Sequence, residues 1–203
     1  MKLYYYPGAC SMAVHIALRE AGDQFEFDKV DLGAKRTASG EDYNQVNAKG
    51  YVPALRLDDG QVLTEDAVLL QYVADHNPDA GLAPPLGSME RYRLMEWLNF
   101  ISSEIHKTLG ALFNPKVTLE WRDNQVALFG RRANWLVAQL GNKPYLMGDK
   151  FTVADAYLFT VLRWCKLHKV DTSNWPVLND YIARIAMRPA VVAAMQAEGL
   201  IEA

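Results

Sequence analysis

Hydrophobic and polar positions follow short alternating runs before residue 80 and long helical stripes after residue 88. The first run, Lys2 to Tyr6, is aromatic and stops at the turn dipeptide Pro7-Gly8, so it predicts a strand. The next segment has apolar residues at helical spacing, with Ser11 as the predicted cap and Gly22 as the predicted stop. A second strand is predicted from Phe25 to Leu32.

The rest of this first region predicts two more strands and one more helix. After a polar loop from Gly33 to Gly40 and a short ambiguous stretch, strand character resumes from Val52 to Leu57. Asp58-Asp59-Gly60 predicts a tight hairpin into a strand that begins at Gln61. Thr64-Glu65-Asp66 then supplies cap-forming residues before a helical run that reaches Asp75. The order β-α-β, a variable segment and β-β-α is a thioredoxin-like plan.

The second region predicts helices only. Its longest predicted helix runs from Met89 to Leu112 and carries an apolar stripe. The stripe consists of Leu94, Trp97, Leu98, Ile101, Ile105 and Leu109. Further helices are predicted from Trp121 to Leu140, from Val153 to His168 and from Val177 to Ala186. The helix from Val153 is apolar nearly all round and is expected in the middle of a bundle, behind a capping-box-like start at Thr152 and Asp155.

Domain boundaries follow from a change in composition. Between Pro78 and Ser88 the chain is rich in proline, glycine and alanine, which predicts a linker. We therefore expect a thioredoxin-like domain over residues 1–80, a linker over residues 81–87 and an all-helical domain over residues 88–203.

Composition and charge narrow the functional class. The 203 residues are 50% hydrophobic and 22% charged, as in ordinary globular proteins. A net charge of −3 provides no basic surface for nucleic acid or anionic lipid, and no stretch has the pattern of a secretory signal or a membrane span. The two cysteines, Cys10 and Cys165, predict neither a disulfide framework nor a metal site, so a reducing cytoplasm is expected.

Cys10 is the candidate reactive group. It lies in the turn between the first strand and the first helix, where free N–H groups and the positive helix end lower a thiol pKa. The alternative is a small buried side chain without chemistry. Because Ser11, Met12 and Ala13 follow it, a two-cysteine redox cycle is excluded, whereas a monothiol cycle through a mixed disulfide remains open.

A polar group on the long predicted helix is the second candidate. His106 follows Asn99 by seven residues, which is nearly two α-helical turns, so both side chains are expected on one face with Ser103 between them. An imidazole titrates near neutral pH and exchanges protons with a thiol readily. The alternative is an ordinary solvated helix face.

Several motifs resemble one family when they are taken in order. They are Tyr5-Tyr6-Pro7-Gly8-Ala9-Cys10-Ser11, Val52-Pro53, Thr64-Glu65, Trp97-Leu98-Asn99-Phe100, Glu104-Ile105-His106-Lys107 and Phe151-Thr152-Val153-Ala154-Asp155. Their order and spacing resemble the cytosolic glutathione transferases over the whole chain, and the cysteine resembles the bacterial beta class. The resemblance implies a homodimeric detoxification enzyme that conjugates the thiol of glutathione, its co-substrate, to hydrophobic electrophiles. A glutathione-dependent thiol transferase working through a Cys10 mixed disulfide and a non-catalytic binding module stay open.

The resemblance also implies roles for single residues around the glutathione sulfur. Cys10 and His106 would lie near the sulfur together with Tyr5, in a secondary role or as simple packing. Asn99 and Ser103 would line the same site. Val52-Pro53, as a cis peptide, would pair its backbone with the cysteinyl part of glutathione, although proline also tolerates the start of an edge strand.

The ends of glutathione are assigned in the same way. Glu65 would bind the γ-glutamyl ammonium, and Lys35 would bind the glycyl carboxylate unless it is a solvated loop lysine. Asp66 departs from the family, which often has serine there. A fixed anion beside a bound carboxylate would weaken binding unless Asp66 caps the helix or contacts the ammonium. Both acidic residues also suit a helix start without any ligand.

Overall fold

The computed structural model describes residues 1–202, which form two compact units. The first unit contains Met1–Ala83 and the C-terminal segment that starts at Arg188, and the second unit is Pro84–Met187. The C-terminal segment, predicted as part of the helical domain, is grouped with the first unit by its contacts. Among the residues described, no helix combines the length and the hydropathy that crossing a bilayer requires.

A five-stranded mixed sheet forms the centre of the first unit. Its strands are β1 (Lys2–Tyr5), β2 (Glu26–Asp31), β3 (Arg36–Thr37), β4 (Ala54–Arg56) and β5 (Val62–Thr64), in the order β3-β2-β1-β4-β5. β1 runs parallel to β2 and antiparallel to β4, and β4 pairs antiparallel with β5 through the predicted hairpin. This arrangement confirms the thioredoxin-like plan. β3, which lies inside the polar loop from Gly33 to Gly40, was not predicted.

Four α-helices accompany the sheet. They are α1 (Ser11–Ala21), α2 (Tyr43–Val46), α3 (Asp66–His76) and α10 (Pro189–Ala197). Gly22 ends α1 with a φ of 75°, as predicted, because glycine adopts the left-handed conformation without a steric penalty. The cap position at the start of α1 is Cys10, so the predicted Ser11 cap is wrong. The Ser11 hydroxyl instead accepts a hydrogen bond from the Tyr6 amide at 3.2 Å.

The two faces of the sheet carry different side chains. One face holds the buried cluster Tyr4, Val30, Tyr43, Val46, Val52 and Ala54. Successive strand residues point to opposite faces, so Tyr5 faces away from Tyr4. Its ring packs 5.1 Å from that of Phe27 and 6.4 Å from that of His15 in α1, measured between centroids.

The C-terminal helix α10 packs on α1 and is followed by a buried acidic residue. Glu198 accepts hydrogen bonds from the Gly8 amide at 2.8 Å and pairs with Nδ1 of His15 at 2.9 Å. The side chains of His15 and Glu198 are fully buried. Arg188 adds an ion pair to Glu20 at 2.6 Å. These contacts explain why the C-terminal segment belongs to the first unit; α10 itself was not predicted.

The second unit is helical, as predicted. Its helices are α4 (Met89–Phe100), α5 (Lys107–Gly110), α6 (Leu119–Leu140), α7 (Val153–Leu162), α8 (Trp164–Leu167) and α9 (Pro176–Ala186), with a π-helical segment at Ile101–His106. The single helix predicted from Met89 to Leu112 is therefore interrupted by that segment. The single helix predicted from Val153 to His168 is divided into α7 and α8 at Arg163.

Helix α7 is the core element that its composition predicts. All ten of its residues are buried, and the capping box between Thr152 and Asp155 is present. The Asp155 carboxylate also accepts hydrogen bonds from the Leu146 amide and the Tyr181 hydroxyl, both at 2.8 Å. One buried carboxylate therefore fixes the start of α7, the segment before it and α9 within this unit.

Candidate functional site

Cys10 lies where the start of α1 meets the segment that leads into β4. Its side chain is half-buried, and the thiol donates to the Val52 carbonyl oxygen at 3.3 Å. The peptide bond between Val52 and Pro53 is cis, as the resemblance implied. Cys10 and the Val52-Pro53 pair, 42 positions further along the chain, are thus brought together by this contact.

Asp66 is the fourth member of this group. It is the first residue of α3, its exposed fraction is 6%, and a carboxylate oxygen lies within 4.8 Å of the Cys10 sulfur. Among residues 1–202, its Oδ1 atom has no hydrogen-bond partner. Burial raises the pKa of Asp66 to about 7, the contact with the Cys10 thiol opposes that rise, and the negative charge of Glu65 adds to it.

The pKa of Cys10 differs from the sequence-based expectation. Burial raises it well above its ordinary value, and the negative charge of Asp66 and its hydrogen bond raise it further. Backbone N–H groups at the start of α1, those of Ser11 and Cys10 itself, lower it but do not compensate. The predicted lowering of the thiol pKa is therefore wrong for this structure, and the thiol is protonated at neutral pH.

Glu65 precedes α3 in a strained conformation. Its φ is 76°, in the left-handed region that a non-glycine residue adopts at a cost on the order of 1–3 kcal/mol. Its carboxylate is half exposed and accepts hydrogen bonds from Nζ of Lys49 at 2.5 Å and from the Tyr51 hydroxyl at 3.0 Å. The strain and the two donors fix the carboxylate at the start of the helix.

The segment before Val52 was an ambiguous stretch in the sequence, and it contains residues that sequence analysis missed. Lys49 and Tyr51 hold Glu65, and the Tyr51 carbonyl accepts hydrogen bonds from the Tyr43 hydroxyl at 3.0 Å and the Asn47 amide at 2.7 Å. The only signal in the sequence was their position just before Val52-Pro53.

Lys35 is attached to this same segment. It is half-buried rather than a freely solvated loop lysine, and its Nζ atom donates to the Gly50 carbonyl at 2.6 Å. Its φ of 54° is a second left-handed conformation at a non-glycine residue. Its ammonium group is therefore held in the first unit next to the residues that lead into the cis peptide.

Tyr5 is not grouped with these residues. It faces Phe27 and His15, on the side of the sheet opposite to the cluster that contains Val52. Burial, followed by the charges of Glu198 and Asp28, raises the pKa of its hydroxyl. These surroundings are those of a packing residue.

The remaining predicted residues belong to the second unit. Nδ1 of His106 lies 2.6 Å from the Tyr157 hydroxyl, and its ring packs edge-on against Trp164 with centroids 5.0 Å apart. Asn99 and Ser103 are exposed, and the Ser103 hydroxyl donates to the Asn99 carbonyl at 3.0 Å. The π-helical segment turns less per residue than an α-helix, so the regular spacing assumed between Asn99 and His106 is wrong.

Known proteins resemble both units. The family model for the glutathione S-transferase N-terminal domain matches residues 8–76, and the model for the glutathione S-transferase C-terminal domain matches residues 120–184. Glutathione S-transferase GstA of Escherichia coli O157:H7 is 45% identical over 200 residues, which cover 98% of this chain and 100% of that protein.

Two solved structures show a similar likeness. One is a sphingomonad glutathione S-transferase complexed with glutathione, and the other is the bacterial beta-class glutathione S-transferase of Sphingomonas chungbukensis. Each is 46% identical with a TM-score of 0.95, over 99% of this chain and 100% of the other. With matches across both units and a beta-class structure among its neighbours, this chain belongs to the glutathione S-transferase family.

Proposed function

We propose that this protein is an enzyme that binds glutathione in its first unit and transfers the glutathione sulfur to hydrophobic electrophiles. The observation that carries the proposal is the placement of the Cys10 thiol against the Val52 carbonyl, beside the cis peptide to Pro53. The main chain of Val52, just before β4, would pair with the cysteinyl part of a peptide ligand, as an added strand does.

The state of Cys10 supports conjugation. A thiol that stays protonated at neutral pH is a hydrogen-bond donor, and its single S–H would turn from the Val52 carbonyl to the glutathione thiolate, the acceptor that it would stabilise. Lowering the pKa of the glutathione thiol in this way raises the fraction of the nucleophilic form. Cys10 would then hold the glutathione sulfur and would not itself attack.

The other contacts to glutathione are proposed from the geometry and the resemblance together. Glu65 would bind the γ-glutamyl ammonium, the free N–H groups at the start of α3 would take the adjoining carboxylate, and Lys35 would take the glycyl carboxylate. In the second unit, the roles of Asn99, Ser103 and His106 at the sulfur stay predictions from the resemblance. Tyr5 is retained as a packing residue.

The rate of conjugation in variants of Cys10 tests this proposal. We expect Cys10→Ala to lower conjugation of an aryl halide about 10- to 100-fold, the effect of removing one hydrogen bond to a charged group. Cys10→Ser should recover part of the rate, because the hydroxyl remains a donor. Cys165→Ala, at a buried position in the second unit, is the matched control. If Cys10→Ala leaves conjugation intact, Cys10 has no role in it.

The second candidate function is a thiol transferase that works through a Cys10 mixed disulfide. The position of Cys10 at the start of α1 favours it, since the backbone N–H groups of Ser11 and Cys10 act there to lower the pKa of the thiol, against the effect of burial, and the thiolate is the attacking form. Reduction of a glutathione mixed disulfide, with mass spectrometry of the Cys10 adduct, measures it directly. A non-catalytic binding module is distinguished by calorimetry with glutathione and by the absence of both rates.

Assembly and location complete the proposal. An apolar stripe along α4 supports a homodimer, which sedimentation would detect. It consists of Met89, Tyr92 and Met95, which expose 65%, 58% and 41% of their surface.

The two free cysteines, Cys10 and Cys165, suit a reducing cytoplasm, which cell fractionation would test.

A further inference from the structure

Asp66 combines three properties that an ordinary helix-start residue lacks. Only 6% of its surface is exposed, and its Oδ1 atom has no hydrogen-bond partner among residues 1–202. A carboxylate oxygen lies within 4.8 Å of the sulfur of the protonated Cys10 thiol. A buried carboxylate without a full set of donors is unstable as an anion. The structure therefore contains a carboxyl group that is poised to hold a proton.

Asp66 lies at the start of α3, where the proposed function places a carboxylate of glutathione. The start of an eleven-residue helix binds carboxylates through its free N–H groups, and α3 is that helix. Glu65, immediately before it, already places one carboxylate beside the site, although Lys49 partly neutralises it. An ionised Asp66 would add a second buried negative charge next to an incoming carboxylate.

We propose that Asp66 takes up a proton from solvent when a carboxylate of glutathione binds at the start of α3, so that glutathione affinity falls as the pH rises above neutral. The inference rests on the proposed function, which supplies the ligand. The protonated Oδ1 would donate a hydrogen bond to the ligand carboxylate. The Oδ1 atom of Asp66, which has no hydrogen-bond partner among residues 1–202, would thus act as a donor in the complex.

The groups that face Asp66 within the first unit agree with this assignment. They are the Cys10 thiol at the start of α1 and the Glu65 carboxylate beside it. The pKa of Cys10 is raised well above its ordinary value, so this thiol does not exchange a proton between pH 6 and pH 8. The pKa of Asp66, about 7 in the free protein, lies within that window.

The sign and size of the effect follow from linkage. A carboxylate ligand raises the pKa of Asp66 further, so the complex holds a proton that half of the free molecules lack at pH 7. If only the protonated form binds, affinity is constant below the pKa and falls about tenfold between pH 6 and pH 8. Proton uptake is about half a proton at pH 7 and approaches one at pH 8.

Calorimetry with S-methylglutathione tests the inference. This probe has no ionisable thiol, so uptake by the protein is not masked by release from sulfur. Titrations in two buffers of different ionisation enthalpy, at pH 6, 7 and 8, give the number of protons bound. We expect uptake in the wild type and none in Asp66→Asn, which keeps the shape of the side chain, or in Asp66→Ser, the residue that the family often has there.

Two further variants separate Asp66 from other sources of protons. Cys10→Ser and His106→Asn should keep the uptake, His106 being the residue of the second unit that the resemblance assigns to the sulfur. Three outcomes would overturn the inference and leave the proposed function intact. Proton uptake could persist in Asp66→Asn, it could disappear in His106→Asn, or the wild type could bind S-methylglutathione without taking up a proton. Failure of the wild type to bind S-methylglutathione at any pH would contradict the proposed function instead.

Discussion

At the scale of single residues, Cys10 and Asp66 show that burial decides a pKa more strongly than position does. Sequence position alone puts Cys10 beside a positive helix end, which favours a thiolate. The structure adds desolvation and a neighbouring carboxylate, and both raise the pKa of the thiol. Neither the burial of Cys10 nor its contact with Asp66 can be read from the residues next to Cys10 in sequence. The direction in which the pKa of the thiol moves could therefore not be predicted from the sequence.

The alkylation rate of Cys10 tests this balance. We expect iodoacetamide to modify Cys10 slowly at pH 7, with a rate that rises only well above pH 9, since the thiolate is the reactive form. Asp66→Asn removes a negative charge near the sulfur and should shift the profile toward lower pH, speeding modification several-fold at pH 8. The exposed Asp79→Asn is the control. A wild-type profile centred below pH 8 would contradict this account.

At the scale of elements, helix starts and stops were predicted where local chemistry decides them. Gly22 after α1 and the capping box at Thr152 and Asp155 are both present. The π-helical segment at Ile101–His106 has no such cap or stop residue in the sequence, so its change of hydrogen-bond pattern was not predicted. The expectation that Asn99 and His106 share one face assumed α-helical turns throughout, and the segment between them is not α-helical throughout.

Replacing Asp155 measures how much one cap contributes. Asp155→Ala removes the cap of α7 and leaves the buried Tyr181 hydroxyl and Leu146 amide without their acceptor. We expect the free energy of unfolding to fall by about 2–4 kcal/mol. Chemical denaturation followed by circular dichroism measures it. Asp171→Ala, at an exposed carboxylate that accepts from the Ser173 amide, should change stability by less than about 1 kcal/mol. Equal losses in the two variants would contradict this role.

At the scale of the whole molecule, the sequence predicted the thioredoxin-like and helical regions but not the return of the chain to the first unit. The alternation of strands and helices before residue 80 is a local pattern, and it predicted the order of the sheet elements. The contacts of His15 with Glu198 and of Glu20 with Arg188 join residues more than 160 positions apart. No periodicity reports such a pairing, so the predicted helical domain includes the C-terminal segment, whereas its contacts group that segment with the first unit.

Truncating the chain tests the contribution of this segment. A chain that ends at Met187 loses α10 and Glu198, which uncovers the buried face of α1 and removes the carboxylate that the Gly8 amide and His15 contact. A hydrogen bond to a charged group contributes about 1.5–3 kcal/mol and the exposed apolar surface of α1 adds to that loss, so we expect little soluble protein and no cooperative thermal unfolding. A chain that ends at Leu200 keeps both features and should unfold near the wild-type temperature. Cooperative unfolding of the shorter chain would show that the first unit folds without its C-terminal segment.

The return of the C-terminal helix also sets an order of events during synthesis. A ribosome adds roughly 5–20 residues per second, so Glu198 follows His15, 183 positions earlier, by about 10–40 s. Throughout that interval the residues that form the sheet and α1 have been synthesised, whereas the helix that packs on α1 has not. The contacts of α10 and Glu198 with α1 therefore form only after residues 189–198 have left the ribosome, and chains released before that point would lack them.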